Sequence, residues 1–146
     1  MSLTLEIVNP TTTLTVVDDP VVTTLELGVA GPQGPGSNIR TFTWVVASPS
    51  VGGIPGPHLG EACTVTRVSS CVAGTGTVDF NIEERSVPNS SGVNLMAADQ
   101  VADANGAEGT SFSNSGLAQD SWLWLDISAV DGSPTTLSVT VKMTTP

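Results

Sequence analysis

A glycine stands at every third position of Gly28-Val29-Ala30-Gly31-Pro32-Gln33-Gly34-Pro35-Gly36, and proline follows it twice. No regular strand or helix crosses such a run, so it reads as a connector between a strand-rich segment before it and a globular part after it. Gly-X-Y spacing suits a left-handed polyproline II path, and three such chains can wind together because only glycine fits at the crowded axis. Three triplets are too few for a stable collagen rod, and the final Gly-Pro-Gly breaks the pattern. The run can still stiffen a connector and favour a three-fold arrangement. The other reading is an ordinary Gly/Pro loop.

The segment before the run reads as three short strands. Leu3-Thr4-Leu5-Glu6-Ile7-Val8 alternates apolar and polar residues, as does Thr13-Leu14-Thr15-Val16-Val17, and Val21-Val22-Thr23-Thr24-Leu25-Glu26-Leu27 is a third β-rich run. Asn9-Pro10 and Asp18-Asp19-Pro20 supply the breaks. A ribbon this small is marginal in water and needs a partner: another copy of itself or a docking surface.

After the run, Thr41 to Val46 predicts a strand, followed by a Gly/Pro loop from Ser48 to Gly60 that carries the sole histidine, His58. Ala62 to Val72 and Thr77 to Glu83 predict adjacent strands, joined by Ala73-Gly74-Thr75-Gly76 as a hairpin connection. Residues 85–119 are polar, with apolar breaks at Val93-Asn94-Leu95-Met96 and Phe112. Asn105-Gly106 ends any helix over Ala97 to Ala107. Trp122 to Ile127 and Leu137 to Met143 alternate again, with Asp131-Gly132-Ser133-Pro134 as the turn between them. The pattern predicts an all-β chain: a jelly-roll-like β-sandwich (38–146) preceded by a strand-rich arm (1–27) and a Gly/Pro-rich connector (28–37).

Composition narrows the function. The chain has 146 residues, 14 acids against 4 bases and a formal charge of −10. Nucleic acid and anionic membranes need clustered Lys and Arg, and the bases Arg40, Arg67, Arg85 and Lys142 are scattered along the sequence. No apolar run approaches the ~20 residues of a membrane helix. Met1-Ser2-Leu3-Thr4 lacks the basic start and long apolar core of a signal peptide, so synthesis and assembly in a cytoplasm are expected. Cys63 and Cys71 would lie ~26 Å apart on one straight strand, too far to bond. A turn could join them, but a reducing compartment argues for two buried or half-buried thiols.

Catalytic chemistry finds little footing. His58 sits between Pro57 and Leu59, and no nucleophile is placed beside it. Glu83 and Glu84 are strand neighbours, so they point to opposite faces and cannot act together on one bond. Asp99, Asp103 and Glu108 form an oxygen-rich stretch of the kind calcium uses, but their spacing departs from a calcium loop. No catalytic residue, cofactor or metal is therefore assigned. Trp122 and Trp124 share one strand face, with Leu123 and Leu125 on the other, so both faces are apolar. One face is core; the other meets a subunit interface, a second layer of core, or a sugar ring, in that order of preference.

The strand-rich start running into Leu25-Glu26-Leu27-Gly28-Val29-Ala30-Gly31-Pro32-Gln33-Gly34-Pro35 resembles the anchor and collagen-like lead of tailed-bacteriophage fibre and decoration proteins. The stretch from Cys63 to Val68 through Val78 to Ile82, Asp120 to Ile127 and Leu137 to Val141 resembles the jelly-roll domain common in such virion proteins. The chain has no Tyr, unlike relatives with aromatic-rich tips, which favours a structural role over receptor binding. The resemblance implies a non-enzymatic virion protein, a capsid decoration protein or short head fibre. Its partners would be itself, as a homotrimer, and the major capsid protein or another virion protein. The alternative is a tail-fibre or adaptor protein whose β-domain binds a host surface glycan. Anchoring or self-contact is assigned to Leu5, Ile7, Leu14, Val16, Val22, Leu25, Gly28, Gly31, Gly34, Trp122 and Trp124. Light scattering of the purified protein is expected to give about three times 14.8 kDa; a monomer both in solution and on particles would end the three-fold reading.

Overall fold

A 23-residue strand and a 24-residue strand dominate this computed structural model, which describes residues 2–8, 11–18, 21–28 and 38–146, with side chains from Ile39 onward. The chain divides into two compact units, residues 1–36 and 37–146. In the first unit, β1 (Ser2–Val8), β2 (Thr11–Asp18) and β3 (Val21–Gly28) form an antiparallel sheet in that order. Leu5, Leu14 and Leu25 fall at one register position across the three strands. Gly28 closes β3. The rest of the Gly-X-Y run, including Gly31 and Gly34, lies outside the described residues, as do the breaks at 9–10 and 19–20.

The second unit begins with β4 (Asn38–Ala47) and β5 (Gly52–His58), followed by β6 (Cys63–Arg85). Four short strands follow: β7 (Val93–Asn94), β8 (Gln100–Ala102), β9 (Ala107–Gly109) and β10 (Gly116–Leu117). The chain closes with β11 (Trp122–Thr145). β6 and β11 pair antiparallel from Trp122↔Arg85 to Thr144↔Thr64. β4 flanks the second half of β11 and β5 flanks its first half. On the far side, β9 and β10 flank the first half of β6, and β7 and β8 its second half. First segments pair with last and inner segments with each other, which is the nested pairing of a jelly roll.

Hydrogen bonding runs through this unit as one antiparallel sheet, yet the sheet must fold over. A straight 23-residue strand would measure ~75 Å, whereas a domain of ~110 residues is only roughly 35 Å across. The bend falls at Gly74-Thr75-Gly76, opposite Gly132 and Pro134. Gly76 has φ +118° and Gly132 φ +79°, and a Cβ on Gly132 would stand 2.7 Å from Thr75 O. A Cβ on Gly76 would collide with Asp131 O. The two expected turns are therefore corrected: 73–76 and 131–134 do not reverse the chain, but bend two continuous strands against each other. The reason is that each strand finds its hydrogen-bonding partner in the other, not in its own continuation.

Two further expectations are revised. Ser48 to Gly60 contains a strand, β5, despite Pro55 and Pro57. It is an edge strand paired only with β11 among the described residues, and an edge tolerates the missing donors of proline. Its glycines admit indoles: a Cβ on Gly56 would meet the Trp44 ring, and one on Gly53 the Trp124 ring. Cys71 is exposed, not buried or half-buried, because it alternates with buried Ser70 and Val72; Cys63 is buried and both thiols are free.

The bent sheet closes over one core, in which Phe80, Ile82, Leu125, Leu137 and Val139 are fully buried. Trp44 joins the two layers, with its Nε1 donating to Pro55 O at 3.2 Å. A bulge pairs Lys142 with Arg67 and Met143 with Val65, so Val65 and Val68, three apart, both face the core. Gly76→Val is expected to lower unfolding free energy by more than ~2 kcal/mol in urea titration, since φ near +118° is foreign to side-chain-bearing residues. Gly60→Ala, where a Cβ meets nothing within 4 Å, should change it by less than about 0.5 kcal/mol.

Candidate functional site

Alternation along the first half of β11 sends Leu123, Leu125 and Ile127 into the core and leaves Trp122, Trp124 and Asp126 half-buried on the outward face. Register then decides their neighbours. Trp122 lies opposite His58 on β5 and Arg85 on β6, and Trp124 opposite Glu83. The His58 and Trp122 rings meet at 4.8 Å between centroids, tilted by 52°. The Arg85 guanidinium sits 4.4 Å from the Trp124 ring centroid, a geometry worth ~0.5–2 kcal/mol.

Arg85 is held there by three contacts. Its Nε donates to Glu83 Oε2 at 2.8 Å, its second terminal nitrogen pairs with the same oxygen at 2.6 Å, and its Nη1 donates to Pro88 O at 3.0 Å. Both charged side chains are largely buried, 16% and 17% exposed. The outward aromatic face is thus partly covered by side chains of the same chain. The sequence demanded a cover for this face; it did not reveal that Arg85, His58 and Gly53 contribute to it. Strand alternation alone could not supply those partners, because they depend on the register between β11 and its two neighbours.

The remaining candidates do not converge. Glu84 points away from Glu83, and its carboxylate accepts from Asn114 Nδ2 at 2.8 Å and from the Ala118 N–H at 2.6 Å. It borders a hollow of about 340 Å³ with Ser86, Gln119 and Asp120. Asp99 accepts from Asn81 Nδ2 at 3.1 Å and from Ser128 Oγ at 2.6 Å. Asp103 caps a turn by accepting from the Asn105 N–H at 2.8 Å, and Glu108 pairs with Arg67 at 3.3 Å. The three carboxylates considered for calcium thus serve three separate local contacts, and no group of three potential metal ligands occurs among the described residues. Burial pushes the Cys63 thiol above its ordinary range, against a smaller opposing pull from Arg40.

No model of a protein family matches the chain, and no curated protein matches it. Among solved structures it is similar to a chain of the Cyanophage Pam1 capsid asymmetric unit, at 13% identity and a TM-score of 0.40, covering 80% of this chain and 91% of that one. For the aromatic face, the expected outcome is a coupling of about 0.5–2 kcal/mol between Arg85→Ala and Trp124→Ala in a double-mutant cycle of unfolding free energies. Additive effects would mean that the guanidinium does not cover the indole in solution.

Proposed function

We propose that the chain is a non-enzymatic structural protein of a bacteriophage virion, a capsid decoration or head-fibre protein that attaches through residues 1–27 and displays the sandwich as a homotrimer. One observation carries the reading: a separate three-stranded unit accompanies a sandwich that already has its own core. A unit of fewer than ~40 residues buries too little apolar surface to be stable alone, so a binding partner is its natural complement. Leu5, Ile7, Leu14, Val16, Val22 and Leu25 are the residues that would meet the capsid lattice or intertwine with other copies.

The sandwich is suited to display. The chain enters it at Asn38 and leaves at Thr145, which are register partners at one end. The bend at Gly74 to Gly76 and Asp131 to Pro134 forms the opposite end, about ten residues or ~33 Å away. Carboxylates engaged in structural contacts, such as Glu84 and Asp99, fit a protein selected for assembly over turnover. A host-glycan role would draw on the half-buried indoles of Trp122 and Trp124, and would show as sugar binding lost in Trp122→Ala while fold and oligomer persist.

Deleting Met1 to Leu27 is expected to leave a folded β-domain that no longer cosediments with capsids of the phage encoding it. Wild-type occupancy by the truncated protein would place the anchor elsewhere.

A further inference from the structure

Two edge strands of the sandwich, β4 and β5, are built differently. β5 carries Pro55 and Pro57, which have no N–H to offer a further strand. β4 (Asn38–Ala47) is ten residues with neither proline nor glycine, and among the described residues it pairs with β11 alone. Its register runs from Thr145↔Asn38 to Thr136↔Ala47 without a bulge. Edges are usually blunted by proline, lysine, a bulge or a covering loop, because their unpaired backbone groups are a template for another chain. The one charged residue of β4 is Arg40, near its start and paired with Glu61.

Register fixes which backbone groups of β4 are free. The Ser48 N–H donates to Thr135 O at 2.9 Å, one step beyond the Ala47↔Thr136 pair. Hydrogen-bonded and non-hydrogen-bonded pairs alternate along an antiparallel ladder. Even-numbered residues of β4 therefore bond to β11, and Ile39, Thr41, Thr43, Val45 and Ala47 turn their N–H and C=O groups to the open edge. The Thr43 and Thr140 hydroxyls, 2.8 Å apart, agree with this, since side chains stand closest in a non-hydrogen-bonded pair. The side chains beside the open edge also lack a neighbour. On the core side Phe42 and Val46 pack against the core but are only partly buried. On the outward side Val45 is 69% exposed and Ile39 56%.

We infer that β4 takes an added strand: an extended segment of the capsid partner, paired along the open edge, with β-branched or apolar side chains at alternate positions. The inference rests on the capsid-binding reading above and gives it a second contact, on the sandwich itself. The five free N–H and C=O pairs recur at every second residue, ~6.8 Å apart, in step along one line. Another extended backbone matches that repeat; a single side chain, a sugar or an ion does not. Alternate side chains of the added strand would cover Phe42 and Val46 on one face and Ile39 and Val45 on the other. A second copy fits this edge less well, because β4 paired with β4 is related by a two-fold axis, which a homotrimer does not contain.

The test reads amide hydrogen exchange in the full-length protein, free and bound to capsids of the phage encoding it, at single-residue resolution. In the free protein Thr41, Thr43 and Val45 should exchange at least ten-fold faster than Phe42, Trp44 and Val46. On particles the three odd-numbered amides should slow at least ten-fold. A variant gives a second readout. Thr43→Pro removes a donor that no described strand of this chain uses, so melting should stay within a few degrees while particle occupancy at limiting protein falls at least ten-fold. Val45→Thr, which keeps the backbone and the branch, should bind as the wild type does. Odd-numbered amides that stay fast on particles, or full occupancy by Thr43→Pro, overturn the inference while leaving capsid binding intact. Odd-numbered amides already slow in the free protein mean that the edge is taken before the capsid is met, by a second copy where the slowing grows with concentration, and this too overturns it. Wild-type protein that does not join the particles at all defeats the capsid reading and this inference together.

Discussion

The pairing of β6 with β11 over their whole length is the interaction on which the rest of the sandwich hangs. Every other strand of that unit attaches to one of these two. A ribbon of this length cannot remain straight inside a domain of ~110 residues, so it folds over and brings its own two halves face to face. The halves thereby become the two layers, and the short strands only widen them. The bend needs backbone closer than a Cβ allows, which Gly76 and Gly132 supply at the same level of the ribbon. The register irregularities near 127–129 and 134–136 bracket that bend in β11, adding twist where the layers separate.

Once the layers exist, their outward faces take on different characters. One carries a chain of contacts from Glu83 through Arg85 to the Trp124 indole, with His58 against Trp122. Cation and carboxylate there are paired and largely withdrawn from water, so the indoles beneath them are already partly solvated by protein. The other face offers hydroxyls, a bare Val45 and no carboxylate on its long strands.

Much of the fold was legible in the residues. The strands at 41–46, 122–127 and 137–143 follow from alternation, and the burial of Leu123 and Leu125 opposite the tryptophans follows from a period of two. Two glycine-rich breaks misled, because glycine with positive φ serves a reversing turn and a bent ribbon equally well. Pro55 and Pro57 misled for another reason: proline excludes a central strand but not an edge one, and the sequence does not state which strands are edges. Of the aromatic face, Trp122 and Trp124 were found as a pair, while Arg85, His58 and Gly53 were not, since nothing local links positions 53, 58, 85 and 124.

The sequence by itself determined the all-β class and the alternation that gives each well-patterned strand two distinct faces. Those are local properties, written in alternation and in the conformational limits of glycine and proline. Only the tertiary structure decided that 63–85 and 122–145 are each one strand, that their bend makes both layers, and that the bases Arg40, Arg67 and Lys142 gather on the layer whose long strands carry no acids. Those properties depend on hydrogen bonds between segments about forty to a hundred residues apart. Alternation fixes a strand's faces but leaves its partner and register open, so no pattern within a single segment could specify them.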